Sequence, residues 1–153
     1  MIVPRKAFGT LVLVLLLSCF VIFSQQWQGM LFGNPGPIVP YTTHIVLFQF
    51  KDGTSPIAIK EIASKFIALK RSCIHPSTQR PYIFSLSGGK DISIEKLQNG
   101  ISHAFVLQFY SNADRDYYVN EDPVHQTFKE AAGAVVQQTL VVDYQDGVFT
   151  EAG

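Results

Sequence analysis

The segment Thr43-His-Ile-Val-Leu-Phe-Gln-Phe-Lys51 decides the fold. Its β-branched, aromatic and aliphatic residues favour extended backbone. At a period of two, His44, Val46, Phe48 and Phe50 point one way and Ile45 and Leu47 the other. Apolar side chains on both faces describe a strand covered on both sides. Asp52-Gly53 ends it, Ser55 is placed to cap a helix, and Pro56 sits at the first helical position, where its missing N–H costs nothing. Ile59, Ile62, Ala63, Phe66 and Leu69 then recur at three- and four-residue spacing, which predicts an amphipathic helix ending near Ser72. Tyr82–Ser87 is expected as a second strand stopped by Gly88-Gly89, and Ile101–Tyr110 as a third. Ser111 can cap a short helix through Asn120, and Asp122-Pro123 opens another helical stretch to about Val135. Gln138–Tyr144 reads as the fourth strand. The order is α+β, a ferredoxin-like β-α-β-β-α-β arrangement with the helices on one face of the sheet. The other face is apolar and bare, and such a surface normally finds a partner. A homodimer through the sheet face, closing a dimeric α+β barrel, is therefore expected.

Upstream of this domain, Arg5 and Lys6 precede an uncharged, largely apolar run from Ala7 to Phe23. Seventeen helical residues reach about 25 Å, at the short end of a membrane span. A cleaved signal peptide, leaving a secreted domain, is the alternative, but its apolar core is usually shorter and no Ala-x-Ala site follows here. Trp27 and Phe32 suit a membrane interface. Residues 1–32 are thus expected to be a signal anchor with one transmembrane helix, and 33–41 a Pro/Gly linker. Residues 42–147 form the barrel domain and 148–153 a tail. Positive charge before the run and none after it until Lys51 places the N-terminus in the cytoplasm. The domain would then be lumenal or extracellular on a single-pass chain. Twelve basic and twelve acidic residues balance to a net charge of zero, without the basic excess of a nucleic-acid binder. Cys73 is the domain's lone cysteine, which excludes an internal disulfide and fits an inert, buried thiol. No Cys/His spacing suggests a metal, and no cofactor is expected.

Four stretches together resemble the stress-responsive dimeric A/B-barrel (Dabb) domain family. They are His44-Ile-Val-Leu-Phe-Gln-Phe-Lys51, Gly100-Ile-Ser-His-Ala-Phe-Val-Leu-Gln-Phe109, Asp122-Pro-Val-His-Gln-Thr-Phe128 and Leu140-Val-Val-Asp-Tyr144. The resemblance spans about residues 43–145 and implies the dimeric barrel. Most members have no assigned activity beyond a link to stress. Polyketide cyclases among them use a histidine of a His-Pro-Ala-His stretch as acid/base, with an upstream tyrosine and a first-strand histidine at the pocket. The resemblance carries these roles to His125 and His44, and a pocket-lining phenylalanine to Phe128. The tyrosine's position, six residues before the histidine, is Val119 here, with Tyr118 one step further back. A one-residue insertion in the bend would return Tyr118 to the site.

Near the start of a helix, the positive end of the backbone dipole disfavours an imidazolium at His125, which suits a general base. His44 shares its strand face with Val46 and Phe48, so these three are expected to line an apolar ligand pocket with Phe128. His103 alternates with Phe105 and Leu107 as a core histidine, and His75, in a loop before proline, is expected in solvent. Two classes of function follow. One is a membrane-tethered dimeric domain binding a small apolar ligand. The other is an enzyme on carbonyl-rich, polyketide-like substrates, with His125 as acid/base and Tyr118 or His44 orienting.

Overall fold

The computed structural model describes residues 41–150. The apolar run 7–23 and the linker 33–41, apart from its last residue Tyr41, lie outside these residues. Among the described residues no helix is long and apolar enough to cross a membrane. The elements are β1 (Thr42–Phe50), α1 (Pro56–Ser72), β2 (Ile83–Lys90), β3 (His103–Phe109), α2 (Asn112–Asn120), α3 (Pro123–Gly133) and β4 (Val136–Gln145). The four strands form one antiparallel sheet in the order β2-β3-β1-β4, the ferredoxin-like topology.

Local chemistry starts each helix. The Ser55 hydroxyl accepts from the Ala58 N–H ahead of Pro56, and Ser111 accepts from Asp114 N–H to open α2. Asp122 Oδ1 accepts from both Val124 N–H (2.8 Å) and His125 N–H (3.1 Å), pairing donors that α3 leaves unbonded at its first turn. The other Asp122 oxygen accepts from the Tyr82 hydroxyl at 2.6 Å, so one buried carboxylate ties α3 to the approach of β2.

The core lies between the sheet and the helices. Phe66 of α1 stacks on Phe105 of β3 at 4.1 Å between ring centroids and meets Phe48 and Phe128 edge-on. Leu107, Phe109 and Cys73 are fully buried beside them, and burial pushes the Cys73 thiol well above its ordinary pKa.

Three sequence expectations need correction. β2 does not stop at Gly88-Gly89 but runs through both glycines to Lys90. Gly88 pairs with Phe105, and a Cβ there would overlap the Phe105 ring, so the glycine gives clearance rather than a break. β4 begins two residues early, at Val136, because Lys51 ties down the end of α3. Its N–H bonds Val135 O, and its ammonium donates to the Gly133 and Ala134 carbonyls. His75 is half-buried against the Tyr82 and Tyr117 rings rather than solvated.

The sheet face away from the helices carries Ile45, Leu47, Leu140, Val142 and Tyr144. The last three are 40–49 % exposed.

Candidate functional site

β1 and β4 form one wall of a cleft and α2 and α3 the other, enclosing about 650 Å³. Val46, Phe48, Phe66, Val119, Phe128 and Val141 supply an apolar lining. His44, His125, Arg115 and Asp143 bring polar groups to the same space. The cleft lies over β4, an edge strand without a neighbour on its outer side among the described residues.

His125 stands on the first turn of α3 and is largely buried. Its Nδ1 lies 2.7 Å from the Tyr118 carbonyl oxygen. A carbonyl only accepts, so Nδ1 carries the proton and Nε2 keeps its lone pair, with no partner among the described residues. Burial lowers the His125 pKa to about 4; the Tyr118 carbonyl opposes this, while Lys129 and His44 nearby add to it. The ring is therefore neutral at physiological pH, and Nε2 is free to accept a hydrogen bond or a proton.

His44, on β1, is directly opposite Asp143 of β4 in the strand register. Its Nδ1 is 2.6 Å from Asp143 Oδ1, which fixes the ring and leaves Nε2 without a partner among the described residues. Arg115 of α2 donates Nη1 to Asp143 Oδ2 and Nε to Asp116 Oδ1 at 2.8 Å. The Asp143 carboxylate is thus held from both sides, by an imidazole and a guanidinium. Carboxylate-bound histidines of this kind are oriented for acid–base or ligand-binding work, as the strand register here requires no rearrangement to make the contact.

The sequence-predicted residues His44, Val46, Phe48, His125 and Phe128 come together on this cleft. Tyr118 does not reach it. Its ring stacks behind His125, at 3.7 Å between centroids, and is completely buried between His125, His44 and Phe109. Its hydroxyl is the sole buried side-chain polar atom without a partner among the described residues, and burial raises its pKa. The next residue, Val119, occupies the cleft wall instead. Tyr118 thus acts on His125 through its carbonyl and its ring face, and does not line the cleft itself. His103 lies elsewhere, bonded to Ser102 Oγ at 3.0 Å and edge-on to Phe50. Among the described residues no group of three or more His, Cys, Asp or Glu could hold a metal.

Sequence reasoning missed Asp143 and Arg115. The antiparallel pairing of the first and last strands was the signal for Asp143, since it sets a histidine against an acid at one register position. Nothing comparable marked Arg115, whose partner lies on a strand 28 residues away.

A family model described as the stress responsive A/B barrel domain matches residues 42–146. The stress-response A/B barrel domain-containing protein HS1 of Arabidopsis thaliana is 32 % identical over 102 residues, covering 67 % of this chain and 86 % of that protein. A crystal structure of an Arabidopsis thaliana protein superposes with a TM-score of 0.60 at 30 % identity, over 71 % of this chain and 98 % of its own. A hydroxynitrile lyase from Passiflora edulis reaches the same TM-score, 0.60, at 21 % identity, over 73 % of this chain and 99 % of its own. A dimeric ferredoxin-like protein of unknown function from Thermobifida fusca scores 0.56 at 16 % identity, over 73 % and 96 %. The last two likenesses show the fold. With residues 42–146 matched to the family and HS1 32 % identical over 102 residues, the protein belongs to the stress responsive A/B barrel domain family.

Proposed function

We infer that this protein is a membrane-tethered, homodimeric stress-response domain that holds a small, largely apolar ligand in the cleft between β1, β4, α2 and α3. The observation that carries the reading is the 650 Å³ cleft, where apolar side chains surround His44 and His125 and each imidazole keeps an Nε2 without a partner among the described residues. Ligand sites have this character, apolar walls with a few placed polar groups. A ligand with one hydroxyl group would donate to Nε2 of His125 or His44 and lay its apolar body against Val46, Phe48 and Phe128.

Dimerisation is supported by the bare apolar sheet face and by fold relatives described as dimeric. Tethering is supported by the apolar run 7–23, with Arg5 and Lys6 placing the N-terminus in the cytoplasm and the domain on the lumenal or extracellular side.

A thermal-shift screen of the purified chain against phenolics, aromatic polyketides and fatty acids tests the cleft, with His125→Ala run beside it. A hit that raises the melting temperature of the wild type and not of the variant supports the reading. A flat screen across all three classes removes it.

A second reading, catalysis, is favoured by the pairing of a neutral His125 with a carboxylate-held His44 in one cleft. In that reading His125 Nε2 takes a proton from the carbon α to a substrate carbonyl, and His44 orients the substrate through a hydroxyl that donates to its Nε2. Polyketide cyclisation or another lyase-type step would use this chemistry. The lyase among the structural neighbours adds the fold alone. Solvent-deuterium exchange into a bound ketone, lost in His125→Ala, separates the two readings.

A further inference from the structure

We propose that the cleft takes hydroxy acids, apolar-bodied ligands with a hydroxyl and one carboxylate, and that Lys129 selects them by pairing with the carboxylate. The proposal rests on the ligand-binding reading above and names the ligand class and its orientation.

Lys129 stands on α3 one turn beyond His125, and both residues line the cleft. Residues at that spacing share a helix face, with their Cβ atoms about 5–6 Å apart. The Lys129 ammonium donates to the Val119 carbonyl at 3.2 Å, and Val119 is part of the same wall. That carbonyl also accepts from Gln126 Nε2 at 3.1 Å, so the end of α2 does not depend on Lys129 for its closing bond. An ammonium has three N–H groups, which leaves two of them without a partner among the described residues.

Charge on the lining points the same way. The charged residues there are Arg115, Asp116, Lys129 and Asp143. Arg115 bridges the two carboxylates, and the trio carries one net negative charge. Lys129 pairs with no carboxylate among the described residues. Its charge is felt at His125, whose protonation it opposes.

The histidine end turns a carboxylate away. Nε2 of His125 and of His44 each present a lone pair, and Asp143 holds the far side of the His44 ring. A hydroxyl donates to either nitrogen, whereas a carboxylate has no proton to give. The two polar groups of the ligand are thereby told apart, hydroxyl on imidazole and carboxylate on Lys129, with the body against Phe48 and Phe128. An amine is the rival class, but both carboxylates on the lining already hold Arg115. The cleft opens on the helix side of the sheet, opposite the face that a second copy would cover, so dimerisation leaves Lys129 within reach.

Isothermal titration of the full chain at neutral pH tests this with para-hydroxyphenylbutanoate and its primary amide, which match in shape and differ in charge. Lys129 is exposed, so the pair is solvent-screened, and the wild type is expected to prefer the acid by about three- to fivefold. Lys129→Met should bind the two alike, Lys129→Arg should keep the preference, and added salt should shrink it. Equal affinities in the wild type, or a preference for the amide, overturn the proposal and leave the cleft reading standing. A preference for the acid that survives Lys129→Met overturns the role of Lys129. Equal weakening of both ligands in Lys129→Met assigns the residue to the Val119 carbonyl alone. If neither compound binds, the hydroxy-acid class falls, and the thermal-shift screen above decides whether the cleft reading falls with it.

Discussion

Replacing His125 with glutamine should flatten the acid limb of the protein's stability. The His125 pKa of about 4 lies well below the ordinary histidine value of about 6.5. The unfolded chain therefore binds this proton more tightly than the folded one. The stabilising contribution is fully present above the unfolded value and is lost as pH falls from about 6.5 toward 4. Between pH 7 and pH 5, linkage with those two values gives a loss of about 2 kcal/mol from this one group. For a domain of this size that corresponds to a melting temperature lower by about 8–16 °C. Carboxylates titrate in the same window, so the difference between wild type and His125→Gln isolates the imidazole. Glutamine can still donate to the Tyr118 carbonyl but takes up no proton. Urea unfolding at fixed protein concentration, at pH 7, 6 and 5, measures both proteins. The wild type should lose about 2 kcal/mol more than the variant over that range. Parallel losses in the two would refute the claim that a buried, neutral His125 bonded to a backbone carbonyl controls the acid limb.

The core and the β2 clearance give two further tests. Phe66→Ala removes the ring that stacks on Phe105 and meets Phe48 and Phe128, and should cost about 3–5 kcal/mol in the urea midpoint analysis. A cost below that of an exposed truncation would place the core elsewhere. Gly88→Val drives two methyl groups toward the Phe105 ring and the Ala104 carbonyl, and should destabilise by about 1–3 kcal/mol although valine is the better strand former. A stabilised variant would show that the glycine is a breaker after all.

What could be read from the sequence follows the range of the interactions involved. Ser55-Pro56 and Asp122-Pro123 were legible because a cap and the helix it starts are neighbours in the chain. The doubly apolar β1 was legible because its period is local. Gly88-Gly89 was misread because its meaning depends on Phe105, seventeen positions later and across a strand pair. The rotation of α2 decides that Val119 faces the cleft and Tyr118 stacks behind His125. No residue in the helix itself announces that rotation, because Tyr117, Tyr118 and Val119 are all apolar enough to pack. Asp143 looked like an ordinary polar residue near a strand end until register placed it opposite His44.

The contact between His44 and Asp143 joins residues 99 positions apart, the first strand to the last. The cleft therefore has no intermediate version. A ribosome must release almost the whole domain before β4 can pair with β1, and until then His44 has no carboxylate and β1 is covered by β3 on one edge only. Building the pocket and completing the fold are one event, set by the slow closure of a long loop rather than by any local step. A stop codon just ahead of β4 would leave the cleft without one wall and β1 with an open edge for quality control to recognise.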